Sequence, residues 1–386
     1  MTPADEGATG EASTAEAGPE MERIMAGSLA ELVDGAEIVI CCGSGGVGKT
    51  TSAAVLALQA ARDGRRAVVV TIDPARRLAD ALGLEGIGNT PTRIDGDWEG
   101  ELSAVMLDTK STFDSVVQRY AEDPEQAERI FANRFYRNLS GALSGTQEYM
   151  AMEKLYELQS DDAFDLVVVD TPPTRHALDF LDAPRNLTRF LDHRLYRVLT
   201  APTRGVMKAV NKAATTFIRS VTKVVGAEVF DDAIAFFQAF EGMEEGFRER
   251  ADAVLQLLED PRTAFVLVAS PQRDTVDEAR YFADRLAEAD IPVAGLIVNR
   301  VHPRYTDQLP EALRERAQTL EGTDLGGLYE NLADFALIAG RDDENLDGLA
   351  EQVAPAPVSR VPFLRSDVHD LDGLTEIAGH LFAPDE

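Results

Sequence analysis

Apolar residues fall along this chain in two rhythms. Short unbroken runs rich in valine and isoleucine occupy residues 37–42 (EIVICC), 67–72 (AVVVTI), 102–107 (LSAVML), 164–170 (FDLVVVD), 264–269 (AFVLVA) and 293–298 (VAGLIV). Runs without polar alternation predict strands buried on both faces of a parallel sheet. Between them, residues 51–62, 111–158 and 275–287 read as helical sequence. Asp63-Gly64 is a stop signal for the first of these helices. Residues 361–364 (VPFL) fit a closing strand before a final helix over 373–381, and residues 28–33 a short lead-in helix. Strands alternating with helices at this spacing predict an α/β fold built on a doubly wound, mostly parallel sheet.

Two helical stripes stand apart from the crossovers. Residues 193–227 carry Arg194, Arg197, Arg204, Lys208, Lys212, Arg219 and Lys223 and no acid, with Met207, Val210, Ala214, Phe217, Val221 and Val224 on one face. A second stripe follows through Val229, Ala233, Phe236, Phe240, Met243, Phe247, Ala251, Val254 and Leu258, widened by Phe230 and Phe237. Both fit helices packed on each other and on the sheet. They also fit a hydrophobic groove with a basic rim, open to an apolar helix or a membrane surface. The expected organisation is a disordered acidic tail over 1–27, then one domain over 28–386 with helical segments at about 111–160 and 185–260.

The first strand leads into Gly43-Ser44-Gly45-Gly46-Val47-Gly48-Lys49-Thr50, which fits G-x-x-x-x-G-K-[ST] and opens into the helix from Thr51. Strand, glycine-rich loop and helix in that order are the context of a phosphate-binding loop. Glycines let backbone N–H groups curl around β- and γ-phosphates, and the helix N-terminus adds its unpaired donors. Lys49 is the expected cation at those oxygens, and the Thr50 hydroxyl the expected ligand of Mg²⁺. Asp73 and Asp170 each end an apolar strand, and each has two readings. Either can cap the helix that follows. Alternatively, Asp73 faces the γ-phosphate and Asp170 the water shell of Mg²⁺. His176 reads as a helix-start residue near the site.

Charge and cysteine content narrow the function classes. With 67 acids against 37 Lys and Arg, the net charge is −30, a surface that repels nucleic acid phosphates. Cys41 and Cys42 are the only cysteines and sit side by side on a strand, so neither a CxxC clip nor a disulfide framework is available within one chain. No apolar run approaches the roughly 20 residues of a membrane span, and the N-terminus lacks a signal-peptide pattern, which makes the cytoplasm the expected location.

Three stretches, GSGGVGKTT, TIDPARRLADALG and FDLVVVDTPPTRHALDFL, with Asn299 after a late strand, resemble the ArsA-type ATPases. That family includes the arsenite-pump ATPase and the ATPase that targets tail-anchored membrane proteins, within the deviant-Walker class. The resemblance spans roughly residues 37–382 and is firmest at these motifs. It implies a P-loop NTPase fold with an inserted helical subdomain, ATP and Mg²⁺ as cofactors, and a dimer that closes on ATP across two facing nucleotides. By the same resemblance Asp73 would orient the attacking water, Asp170 would hold Mg²⁺ through water, and residues 171–176 would form a second switch. Asn299 would read adenine with the loop around Pro362 and Phe363. Asn299-Arg300-Val301-His302 lacks the Lys and Asp of the guanine-reading motif, which favours ATP over GTP.

The departures from the family pattern are informative. The resemblance implies a lysine after the first loop glycine, one that crosses the dimer to the partner's phosphates, and here that residue is Ser44. A homodimer would lack this cation at both sites, so a lysine-bearing paralog is an expected partner beside a second copy. Arsenite-binding and zinc-clip cysteines are both missing. Three functions follow: a dimeric ATPase switch with a client- or partner-binding helical region, a nucleotide-binding subunit with little hydrolysis, and a small-molecule kinase, for which no acceptor site is evident. The acidic C-terminus, residues 367–386, lacks a basic membrane-binding helix.

Overall fold

The computed structural model describes residues 27–73, 77–139, 146–172, 179–193, 196 and 227–383. Nearly all of the 1–27 tail, most of the basic 193–227 stripe and residues 173–176 of the second switch, including His176, lie outside these described residues.

The apolar runs form the predicted strands β1 (Ile38–Gly43), β2 (Arg66–Thr71), β4 (Glu101–Met106), β5 (Leu166–Asp170), β6 (Thr263–Ala269) and β7 (Val293–Val301). With β3 (Thr92–Ile94) and β8 (Val358–Pro362) they make an eight-stranded sheet in the order β3-β4-β2-β5-β1-β6-β7-β8. Every pairing is parallel except β3 with β4. This is the doubly wound, mostly parallel α/β sheet of a P-loop NTPase. The closing strand starts three residues earlier than the sequence reading and ends at Pro362, because it pairs with β7 from Val358 onward. The antiparallel edge strand β3 has only three residues, too few to show a pattern.

The sheet divides two cores. On one face lie α1 (Leu29–Gly35), α2 (Lys49–Arg62), α3 (Arg77–Ala81) and α15 (Leu371–Leu381), in one core with Val39, Cys41, Val69 and Val168. Ala53, Ala54, Ala57, Ala60 and Ala61 of α2 are all fully buried, so this helix sits close to the strands. The first helix is capped by the Ser28 side chain.

The other face carries α4 (Thr109–Tyr120), α5 (Pro124–Ala132), α6 (Arg134–Leu139), α7 (Thr146–Gln159), α8 (Asp179–Asp192), α9 (Ala227–Ala239), α10 (Glu244–Glu259) and α11 (Arg273–Glu288). Its core is aromatic, with Phe236 and Phe240 4.7 Å apart and Phe113 stacked on Tyr136 at 5.4 Å. The stripe over 229–258 is two helices, α9 and α10. Gly242 breaks it with φ +93, and a Cβ there would stand 2.6 Å from Glu122 Oε1. Among the described residues of this layer, Arg250 Nε and Glu153 Oε2 form a buried ion pair at 2.8 Å, joining α10 to α7.

The sequence reading placed no elements between β7 and β8. A helical hairpin, α12 (Pro310–Thr319) and α13 (Asp324–Leu346), fills part of that span, followed by α14 (Leu349–Val353). No helix among the described residues is long and apolar enough to cross a membrane.

Candidate functional site

Register places the chemistry. Cys41 of β1 and Thr71 of β2 both pair with Asp170 of β5; β2 and β5 end at that level, and β1 runs two residues further, to Gly43. At their carboxyl ends, beside the end of β7, lies a cavity of about 660 Å³. Gly46, Gly48, Lys49, Thr50 and Thr51 line one wall, Asp73 and Asp170 another, and Asn299, Arg300, Pro362 and Phe363 a third. The crevice beyond the strand ends is where ligands of open α/β sheets bind. Gly43, Ser44, Gly45 and Val47 lie outside this lining. The Val47 side chain is instead buried in the α2 core.

The loop glycines have identifiable causes. A Cβ on Gly43 would stand 2.1 Å from the Val268 carbonyl of β6, so the turn out of β1 passes too close for any side chain. Gly48 has φ +100, and a Cβ there would stand 2.1 Å from Asn299 Nδ2. Gly48 is also the residue before α2 and offers no side-chain cap, which leaves the helix's first N–H groups to a ligand.

Lys49 is buried and its Nζ donates to the Ser44 carbonyl at 2.7 Å. Burial pulls its ammonium below the ordinary lysine range, opposed by the nearby Asp170 carboxylate. Asp170 is buried too, and burial pushes its carboxyl above the usual range against hydrogen bonds from Thr50 and Thr71. Both hydroxyls donate to Oδ2, at 2.7 Å from Thr50 and 2.9 Å from Thr71. The other oxygen, Oδ1, is buried with no hydrogen-bond partner among the described residues.

An orphaned carboxylate oxygen beside a threonine hydroxyl is a hard, oxygen-only donor set that fits Mg²⁺. No group of three or more His, Cys, Asp or Glu able to hold a metal occurs among the described residues, so an ion here would complete its shell with water and phosphate oxygens. Asp73 follows β2, with its N–H on Thr71 Oγ1 at 3.3 Å and its carboxylate 3.8 Å from Arg77 Nη1. Thr171 also lines the cavity, with its hydroxyl donating to the Cys41 carbonyl at 2.7 Å.

At the third wall the Asn299 amide is engaged at both ends. Its Nδ2 donates to Val47 O at 2.8 Å and its Oδ1 accepts from the Arg300 N–H at 2.9 Å. Phe363 is 57% exposed and lies parallel to the His302 ring at 5.6 Å. Asp342 of α13 fixes that ring, accepting from the His302 N–H at 2.9 Å and lying 2.8 Å from Nδ1.

Residues 36–339 match the family model described as anion-transporting ATPase. The chain belongs to that family. It is therefore an ATP hydrolase, and nucleotide use comes with membership. It is 25% identical over 299 residues to a Cryptosporidium parvum protein named ATPase ASNA1 homolog, covering 76% of this chain and 74% of the relative. A Malassezia globosa protein named ATPase GET3 is 26% identical over 265 residues, 68% of this chain and 72% of its own. An uncharacterized Streptomyces coelicolor protein is 30% identical over 321 residues, 82% of this chain and 75% of its own.

Three residues of this ATPase's site escaped the sequence reading. Thr71, the one polar residue in AVVVTI, takes its place through register with Asp170. Arg77 and Arg300 line the cavity beside the phosphate loop. Their signal was available, two cations next to motif residues in an acidic chain, but neither has a spacing that distinguishes it from a surface arginine.

Proposed function

We propose that this chain is a Mg-ATP-dependent switch that works as a dimer and couples nucleotide state to its helical layer. The observation that carries the reading is the meeting of Lys49, Thr50, Asp73 and Asp170 in one cavity at the carboxyl ends of β1, β2 and β5, with one Asp170 oxygen buried and without a hydrogen-bond partner among the described residues. Lys49 and the loop N–H groups bind the β- and γ-phosphates, and phosphate charge restores the ammonium that burial disfavours. Thr50 and Asp170 would hold Mg²⁺, which would supply positive charge to offset that on the phosphate oxygens. Asp73 orients the attacking water. Pro362 and Phe363 enclose the base.

Coupling to the helical layer starts beside Asp73. Gln147 at the start of α7 donates its amide to the Ile72 carbonyl at 2.9 Å, one residue before Asp73. The same helix carries Glu153, whose ion pair with Arg250 reaches α10. A shift at Asp73 on hydrolysis thus has a packed route into the layer that would receive an apolar helix or a partner protein. The relatives' names place this chain among ATPases, and the client is our inference from the aromatic layer.

Ser44 bears on the dimer. It supplies no cation to a facing nucleotide, so a lysine-bearing paralog completes this chain's site, and the chain alone turns over slowly. A trans cation at phosphoryl transfer is worth on the order of 10³-fold or more. Lys49→Ala should weaken Mg-ATP binding by roughly a hundredfold or more, measured by calorimetry. Unchanged Mg-ATP affinity in that variant overturns the site. Brisk turnover by a tight homodimer of the chain alone overturns the paralog.

A further inference from the structure

We infer that the carboxyl end of β7 braces the phosphate loop, with Asn299 and Arg300 pinning two successive loop carbonyls in the shape that binds phosphate. This rests on the phosphate-loop reading above and adds to Asn299 a role other than reading adenine. Asn299 Nδ2 donates to Val47 O at 2.8 Å, and Arg300 Nη1 donates to Gly46 O at 3.2 Å.

Backbone geometry makes this pairing possible. Consecutive side chains in a strand point to opposite faces. Arg300 breaks the alternation with φ 62, a left-handed conformation that side-chain-bearing residues other than Asn, Asp and His rarely adopt. The turn lets neighbouring side chains reach neighbouring carbonyls of one loop. The Asn299 Oδ1 bond to the Arg300 N–H fixes which end of the amide faces the loop. Gly48 completes the fit, since a Cβ there would strike Asn299 Nδ2.

A trans peptide points its N–H away from its C=O. Holding the Gly46 and Val47 carbonyls therefore turns the N–H groups of Val47 and Gly48 away from the brace. No acceptor among the described residues engages either N–H. These are the donors a concave backbone anion site requires. Asn299 and Arg300 are thus positioning residues that act through the loop.

The test separates loop from base. Wild type, Asn299→Ala, Arg300→Ala and Arg300→Lys are titrated calorimetrically with Mg-ATP, Mg-GTP and Mg-tripolyphosphate, which has no base. Apo melting curves run in parallel. Each alanine variant should lose about tenfold in affinity for all three ligands, the worth of one good hydrogen bond. Arg300→Lys should keep most of the affinity, because a lysine still donates. Loss confined to ATP, with tripolyphosphate binding unchanged, overturns the brace and assigns the pair to the nucleoside. Wild type binding Mg-ATP but not tripolyphosphate overturns it also, since a braced loop holds phosphates without a base. Wild type that binds no Mg-ATP at all rejects the parent reading instead. Arg300 is exposed, so its variants keep the proposal open to refutation even where Asn299→Ala fails to fold.

Discussion

The two faces of the sheet are built from different materials. Beneath α2 the packing is alanine on valine, with five fully buried alanines bringing the helix close to the strands. Beneath α4 to α10 it is aromatic, with rings from Phe113 to Phe247 in contact across several helices and a buried ion pair among them. Small side chains leave a helix little room to shift, so the alanine face fixes the N-terminus of α2 and the loop ahead of it. Large rings touching many neighbours can repack between arrangements of similar volume. Under the proposed function, the alanine face would hold the phosphate loop still and the aromatic face would change shape.

The strongest way to break this comparison is at the ion pair. Glu153→Ala leaves the Arg250 charge buried, and loss of a buried partner costs about 3–5 kcal/mol. Denaturant midpoints should show that loss, and Mg-ATP affinity should fall far less than in Lys49→Ala, because the pair lies in the helical layer and not at the phosphates. A matched pair of substitutions comes next. Phe236→Ala should cost about 3 kcal/mol by leaving a cavity, again with little change at the nucleotide. Ala57→Leu overpacks α2 against the strands and should cost about 1–3 kcal/mol, but with a clear fall in Mg-ATP affinity. Equal effects of the two on binding would mean the faces do not differ in this way.

Asp170 gives the smallest stability effect and a defined sign. Burial raises its carboxyl above the unfolded value near 3.8, so the protonated form is the one favoured in the fold. Its stabilising contribution is complete below that value and is lost as pH rises through the raised one. Asp170→Asn should therefore melt about 1–2 °C higher than wild type at neutral pH without ligand, with the difference vanishing in acid. The same variant should lose the Mg²⁺ dependence of nucleotide binding. A lower melting temperature at neutral pH would mean that the hydrogen bonds from Thr50 and Thr71 outweigh burial.

Much of this site was legible in sequence because its strands are buried on both faces and so lack polar residues until their ends. Asp170 stands out after LVVV, and the glycine loop after IVICC, for that reason. Thr71 did not, since its role depends on a neighbour 99 residues away in the chain. The Asn299 contact with Val47, 252 residues apart, was equally unreadable, since the resemblance that singled out Asn299 concerned the base. Helical periodicity misled where α9 meets α10, because Phe236, Phe240, Met243 and Phe247 keep their spacing across the turn at Gly242. The hairpin of α12 and α13 left a weak pattern for the opposite reason. Leu325 and Leu328 are 50% and 63% exposed, so its apolar positions do not mark a buried face.

The central claim is that the strand-end carboxylates act on ATP, and single-turnover hydrolysis by Asp73→Asn tests it most directly. With wild type and variant loaded with Mg-ATP, alone and with a lysine-bearing paralog, the account predicts equal binding. It also predicts that the variant's hydrolysis rate falls by roughly a hundredfold or more, the usual scale for a group that positions the nucleophile. A variant that binds and hydrolyses ATP at the wild-type rate would contradict it.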